Sequence, residues 1–222
     1  MDYERKVQEP EEIPELVEEA HIRGEDGLTR LFLDHEEEKN VVRGRREVMT
    51  GPKFPENRRR DGGLSWYHDD TKCAMVAAPN DGSKAGKGYM EAWSAAIVEE
   101  LEDLGHEAYM SGGDVYSRET GEQLVGLSAS LRKDSVVLRA CWYEEEPEID
   151  GMLEEDGIEP EEFYDAVDTV EGLYDRLTDR IDPSGAGPGF ISEEAREMTD
   201  DYLAGEGVVK GSCVLGEDGK YF

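Results

Sequence analysis

Positive charge is what this sequence lacks most. Its 222 residues carry 24 Lys and Arg against 55 Asp and Glu, a formal net charge of −31. Only nine of the basic residues are lysine. Such a surface repels phosphate backbones and anionic lipid, which argues against nucleic acid and membrane partners. Cysteine is also scarce. Cys73, Cys141 and Cys213 stand far apart, with no C-x-x-C and no even set. Neither a zinc knuckle nor a disulfide framework is expected from them. They read as free thiols of a reducing compartment, and Cys141, beside Trp142 in an apolar run, reads as a buried inert thiol. His21, His35 and His106 sit in acidic contexts without paired ligands and read as surface residues, so no metal site is expected from them. No apolar run approaches the ~20 residues of a membrane span. The opening MDYERKVQEPEE lacks the apolar core of a signal peptide. A soluble, cytoplasmic protein is predicted. Neither G-x-G-x-x-G nor G-x-x-x-x-G-K-[ST] occurs, so neither of those phosphate sites is present.

What is there is acid spread along the whole chain rather than gathered in a tail. That spread suits a surface shaped for high salt, where screening tames self-repulsion. The apolar residues are periodic. Residues 11–22 predict a short amphipathic helix using Leu16, Val17 and Ile22, and 88–104 a longer one using Trp93, Ala96, Ile97, Leu101 and Leu104, stopped by Gly105. A long helix is predicted over 160–180, and another over 193–203 with Ser192 as its N-cap. Strands are predicted at 28–33, 39–44, 64–67, 73–78, 114–118, 123–127 and 135–143, with loops at 50–57 and 79–88, a loop with a short helix at 147–159 and a small hairpin at 208–222. The irregular interleaving favours an α+β fold, a mixed β-sheet sandwich with flanking helices, over a doubly wound parallel sheet. The division expected is a main domain over 1–185 and a helix with a short hairpin over 186–222, without a full accessory domain.

Two segments could carry chemistry. The first is NRRRDGGLSWYHDD, residues 57–70. Arginine suits bidentate phosphate or carboxylate binding, and Gly62 and Gly63 let a backbone approach a ligand closely. Two readings fit: a ligand loop leading into a strand, or arginines neutralised by neighbouring acids. The second is GGDVYSRETGEQLVGLSA, residues 112–129, which reads as two strands around a turn. Its small residues Gly126, Ser128 and Ala129 allow close approach, but an ordinary hairpin fits equally.

Taken in order, the segments resemble the lipoate–protein ligase and octanoyltransferase family, whose catalytic fold is shared with biotin–protein ligases. That family's first signature is Arg-Arg-x-[Ser/Thr]-Gly-Gly-Gly-x-Val-x-His-Asp. Arg58, Arg59, Gly62, Gly63, His68 and Asp69 match it in register, while Asp61, Leu64 and Trp66 replace the Ser/Thr, the third Gly and the Val. NVVRGRR, residues 40–46, resembles the strand before that loop. Asp114 falls at the Asp of an Asn-Asp pair, with Gly113 in the Asn place, and Gln123 falls where the family has a lysine ahead of a Gly and a Ser-Ala, a place that passes to Leu124 if the register is shifted by one to align Ser128 and Ala129. The resemblance covers roughly residues 25–180, and residues 191–211 faintly resemble the family's C-terminal helix.

The resemblance implies a biotin/lipoate-ligase-like catalytic domain that attaches a lipoyl or octanoyl group to a carrier lysine. ATP and Mg2+ would activate the acyl group as an adenylate, and lipoate or octanoate would be the acyl source. The partner implied is a lipoyl-carrier domain of the 2-oxoacid dehydrogenase or glycine cleavage type, with a separate accessory subunit as a further candidate. Arg58, Arg59, Gly62, Gly63, Leu64, His68, Gly126, Ser128 and Ala129 would form the acyl site. Asp114 and Gly113 would meet the nucleotide, and Gln123 would stand at the catalytic lysine's position. A neutral amide there supplies no positive charge to the developing oxyanions. Lys133 lies ten residues further on. A non-catalytic relative that kept the fold to bind a ligand or protein is the second reading, and a thioester nucleophile at Cys141 the third.

Overall fold

A computed structural model describes residues 2–7, 12–35, 40–43, 56–58, 66–68, 71–80, 85–111, 114–146, 168–179 and 191–205. In chain order its elements are β1 (Asp2–Val7), α1 (Glu12–Asp26), β2 (Thr29–His35), β3 (Asn40–Arg43), β4 (Glu56–Arg58), β5 (Trp66–His68) and β6 (Thr71–Pro79). Then come α2 (Ala85–Asp103), β7 (Ala108–Ser111), β8 (Asp114–Ser117), β9 (Gln123–Leu131), β10 (Ser135–Tyr143), α3 (Leu173–Asp179) and α4 (Glu193–Gly205).

The strand SVVLRACWY is apolar on alternate and intervening positions alike, the mark of a strand covered on both faces. It forms β10, and all nine of its residues are buried. It is the middle of a seven-stranded sheet ordered β1-β2-β6-β10-β9-β8-β7, antiparallel except for the β1–β2 pair. A second, three-stranded sheet has the order β4-β3-β5. The mixed α+β architecture expected from the sequence is therefore the one observed.

One face of the large sheet packs under α1 and α4. Leu16, Val17 and Ala20 of α1, Ala195 of α4 and Ile191 just ahead of α4 meet Leu31, Cys73, Met75, Ala77, Val137 and Cys141. Gly24 brings α1 onto β6, since a Cβ there would lie 2.9 Å from the Ala77 Cβ. The other face packs under α2 and α3, where Ile97, Leu101, Leu173 and Leu177 meet Phe32, Ala74, Ala140 and Trp142. Each large apolar side chain so buried contributes about 1.5–3 kcal/mol. Gly105, at φ +96°, ends α2 as expected. Its N–H donates to the Glu102 carbonyl at 3.0 Å and that of His106 to Leu101 at 2.9 Å, the paired bonds of a Schellman cap. Ser192 caps α4 through its Oγ, which accepts from the Ala195 N–H at 3.2 Å.

Several expectations need correction. Strands β1 and β7 were not anticipated, and β4 begins within the stretch read as a loop. The start of α2, at Ala85, also falls in a predicted loop. The predicted helix over 160–180 is helical, among the described residues, only at Leu173–Asp179. Ahead of it, the N–H of Asp168 donates to the Gln123 carbonyl at 3.0 Å and that of Val170 to Tyr143 at 2.8 Å. Those N–H groups complete the sheet instead of a helix, and Gly172 at φ +81° makes the turn into α3. His21 is no surface residue, being fully buried in α1. Cys73 and Cys141 are not free thiols. The β6–β10 register places them opposite each other, with Cα atoms 4.4 Å apart, and they form a disulfide. Sixty-eight positions of sequence separate them, so only the antiparallel pairing reveals the match. The thiol argument for a reducing compartment thereby loses its premise. The expected hairpin at 208–222 and the loop at 147–159 lie outside the described residues.

Candidate functional site

Alternation along the strands decides which predicted site residues can share a ligand. In β9, Gly126 pairs with Cys141 and Ser128 with Arg139 across β10. Across β6, Cys141 pairs with Cys73 and Arg139 with Met75. Cys73, Met75 and Cys141 belong to the α1-side core. Gly126, Ser128 and Arg139 therefore lie on that same face. Ala129 pairs with Leu138 and packs with Trp93 and Met90 on the α2 side. The structure thus unites Gly126 and Ser128 and places Ala129 on the opposite face, where it faces α2.

Arg139 is the group that sequence reasoning overlooked. It is 1 % exposed, and its Nε donates to the Cys73 sulfur at 3.4 Å. Its signal was legible: a single charge in the middle of the apolar run SVVLRACWY. A buried guanidinium is retained only where contacts compensate its desolvation. Here it puts a fixed positive charge on the face that carries Gly126 and Ser128. The row ends at Ser130. Its Oγ lies 2.9 Å from His21 Nε2, and Ser135 Oγ lies 2.8 Å from His21 Nδ1.

Asp114 opens β8 and sits beside this row. Its Oδ1 accepts from the Leu127 N–H at 2.7 Å, two residues beyond the Val115–Val125 pair. The carboxylate thus holds β9 in place where β8 has run out of backbone partners. Burial pushes the Asp114 carboxyl above its ordinary range, and the Leu127 N–H opposes that only in part. Gln123 opens β9, half-buried opposite Tyr116, with its carbonyl held by Asp168. Lys133 is exposed in the turn between β9 and β10.

Arg58 and His68 belong to the small sheet. β3 runs between them, with Arg43 opposite Arg58 and Asn40 opposite His68. Their backbones are thus three residues apart along the strand, about 10 Å, and on opposite sides of β3. Arg59, Gly62, Gly63, Leu64, Asp69 and Gly113 lie outside the described residues. Among the described residues no group of three His, Cys, Asp or Glu could hold a metal ion. No helix among them is long and apolar enough to cross a membrane. The Cys141 nucleophile is set aside, because its sulfur is bonded to Cys73.

No protein-family model matches the sequence, and no curated protein matches it. Solved structures do. A bipartite lipoate protein ligase from Thermoplasma acidophilum, studied with its E2 lipoyl domain, superposes with a TM-score of 0.63 at 15% identity, over 92% of this chain and 93% of that one. A lipoate-protein ligase A bound with ATP gives 0.63 at 15% identity, over 91% and 93%. LipL1 of P. falciparum in complex with lipoate gives 0.56 at 13% identity, over 95% and 72%. The fold is therefore that of the lipoate–protein ligases, at a sequence distance that fits a divergent form of it.

Proposed function

We propose that this protein is a lipoate–protein ligase-like acyltransferase. It would attach a lipoyl or octanoyl group to a lysine of a lipoyl-carrier domain through an acyl-adenylate. The observation that carries this reading is the fold match over nearly the whole length of both chains. The Thermoplasma enzyme was studied with its E2 lipoyl domain, which supports a carrier domain as partner. Bound ATP and bound lipoate in the related structures support those two substrates.

The chain's own residues have definable parts in this reaction. Gly126 and Ser128, without bulk, would leave the α1-side face open to an acyl chain. The Arg139 guanidinium would give that face its positive charge. Asp114 would supply one carboxylate oxygen, Oδ2, toward a nucleotide-bound Mg2+, since Oδ1 already accepts from Leu127. One carboxylate suits Mg2+, which binds through few protein ligands and the phosphates. ATP, when bound, would convert the acyl carboxylate into a reactive anhydride. The amide of Gln123 would donate a hydrogen bond to an acyl or phosphate oxygen without the charge of a lysine.

That last residue favours a second reading, a relative that keeps the fold to bind an acyl ligand or a protein without catalysis. The test uses purified protein in high salt with lipoate or octanoate, ATP, Mg2+ and a lipoyl-carrier domain, read by the mass of the carrier. The expected result is a carrier heavier by one lipoyl or octanoyl group, with Gln123→Lys faster than wild type. An unmodified carrier with both wild type and Gln123→Lys would refute catalysis. Tight binding of the unmodified carrier would then establish the second reading.

A further inference from the structure

On the α2 side of the large sheet, away from Gly126 and Ser128, lies a pocket of about 200 Å³. Its floor is Val76, Ala78, Val136 and Leu138, and α2 closes one wall with Trp93. Leu28 and Tyr89 stand on its rim, 47% and 40% exposed. They are two of four large hydrophobics so exposed among the described residues. Apolar surface gathered around a concavity, rather than scattered singly, marks a binding site. The single charged residue in the lining is a cation, Arg30, in a chain with a net charge of −31. Arg30 reaches the pocket from β2, opposite Val76.

The geometry points to a second ligand site here, one that takes a small amphipathic carboxylic acid with an aliphatic chain. The apolar floor accepts the chain and Arg30 meets the carboxylate. A guanidinium carries five donors in a planar fork, enough to serve a carboxylate beside the contacts it already makes. The volume lies below the roughly 300–1,000 Å³ of pockets for drug-sized ligands, which excludes a nucleotide or an acyl-adenylate. A neutral alcohol of the same chain length gains the apolar contacts but not the charged pair. A fatty amine is repelled by Arg30. The site stands independently of the acyltransferase reading, since it lies on the other face of the sheet and needs neither ATP nor a carrier.

Octanoate is the probe, titrated into the full chain without ATP and followed by methyl NMR. The expected shifts include Leu28, Val76, Val136 and Leu138, in addition to any that octanoate causes at Val17 and Leu31 by entering the acyl site proposed on the α1 side. 1-Octanol should bind about tenfold more weakly, and Arg30→Gln should weaken octanoate to the same degree, the value of one charge-assisted hydrogen bond. Ala92→Phe, an exposed lining position, should fill the groove and abolish the shifts at Leu28, Val76, Val136 and Leu138, whereas Ser128→Val should leave them. Shifts confined to Val17 and Leu31, no shifts at all, or octanol binding as tightly as octanoate would overturn the proposal. A failure of carrier acylation would leave every one of these readings unchanged.

Discussion

His21 gives the sharpest test of how this fold is held together. It is fully buried in α1, and both ring nitrogens reach hydroxyls on the far side of the chain, Ser130 and Ser135, at 2.9 and 2.8 Å. Replacing it by leucine keeps helix propensity and much of the volume. Two buried hydroxyls then lose their partner. Each such loss costs about 1–3 kcal/mol, and leucine returns little because the imidazole already filled the site. The net expectation is a loss of about 2–4 kcal/mol. For a chain of this length that is a fall in Tm of roughly 5–15 °C. Urea denaturation at fixed high salt measures it, with an unchanged slope as the check on two-state behaviour. The triple variant His21→Leu, Ser130→Ala, Ser135→Ala removes donors and acceptors together and should return to within about 1 kcal/mol of wild type. A single variant within about 0.5 kcal/mol of wild type would refute the reasoning. So would a triple variant no better than the single one, which would assign the effect to packing.

Three further expectations follow from the same structure. The Cys73–Cys141 bond closes a loop of 68 residues, worth about 4 kcal/mol by chain entropy; reduction should lower the urea midpoint accordingly, and alkylation of all three cysteines without reductant would show that the bond is absent. Asp114 has its carboxyl raised by burial, and a carboxyl higher in the folded than in the unfolded state weakens the fold as pH rises through its folded pKa. Asp114→Asn should therefore be neutral or stabilising at pH 7, and a large loss of stability there would show that the charge itself is held by the fold. Finally, Tm should climb as KCl rises from about 0.1 to 1 M, where the screening length shrinks from about 10 to 3 Å; a flat or falling curve would remove self-repulsion as a determinant.

The sequence made the periodic elements legible and left the faces obscure. α2 and β10 follow from patterns that local physics imposes: a 3.6-residue apolar stripe ended by Gly105, and an apolar run long enough for one strand. The candidate site was legible only as a set of small or polar residues in order. Gly126, Ser128 and Ala129 look equivalent in one dimension. Their pleat separates them, and the register that fixes the pleat comes from β10, not from β9 itself. His21 was misjudged for a related reason. Its neighbours Glu18 and Glu19 suggested water, yet it lies four residues after Val17, on the same buried stripe. The 168–170 segment was read as helix because its apolar spacing suits one. Its N–H groups found better partners on the ends of β9 and β10, a tertiary choice that outweighs local propensity.

The charge imbalance is also distributed by burial, and this decides where salt acts. Acids are in large excess, yet among the described residues the buried Glu18, Glu19 and Glu100 are each paired with an arginine. Glu18 is bonded to Arg132, and Glu100 meets Arg176 at 3.0 Å. Burial alone would raise the Glu19 carboxyl, but the Ser192 hydroxyl and the Arg23 guanidinium outweigh it and hold the group below its usual range. Each of these glutamates is at most 3 % exposed. Removing one partner would strand a buried charge, at a cost of roughly 3–5 kcal/mol. Arg23, Arg132 and Arg176 are thus committed where an unpaired acid would be costliest. Pairs of that kind are screened little by salt, whereas exposed carboxylates respond to it strongly. A rise of Tm with KCl should accordingly survive Arg23→Gln, which lowers stability at every salt concentration by a similar amount. If the variant instead changed the slope with salt, the buried pairs and not the surface would be the salt-sensitive element.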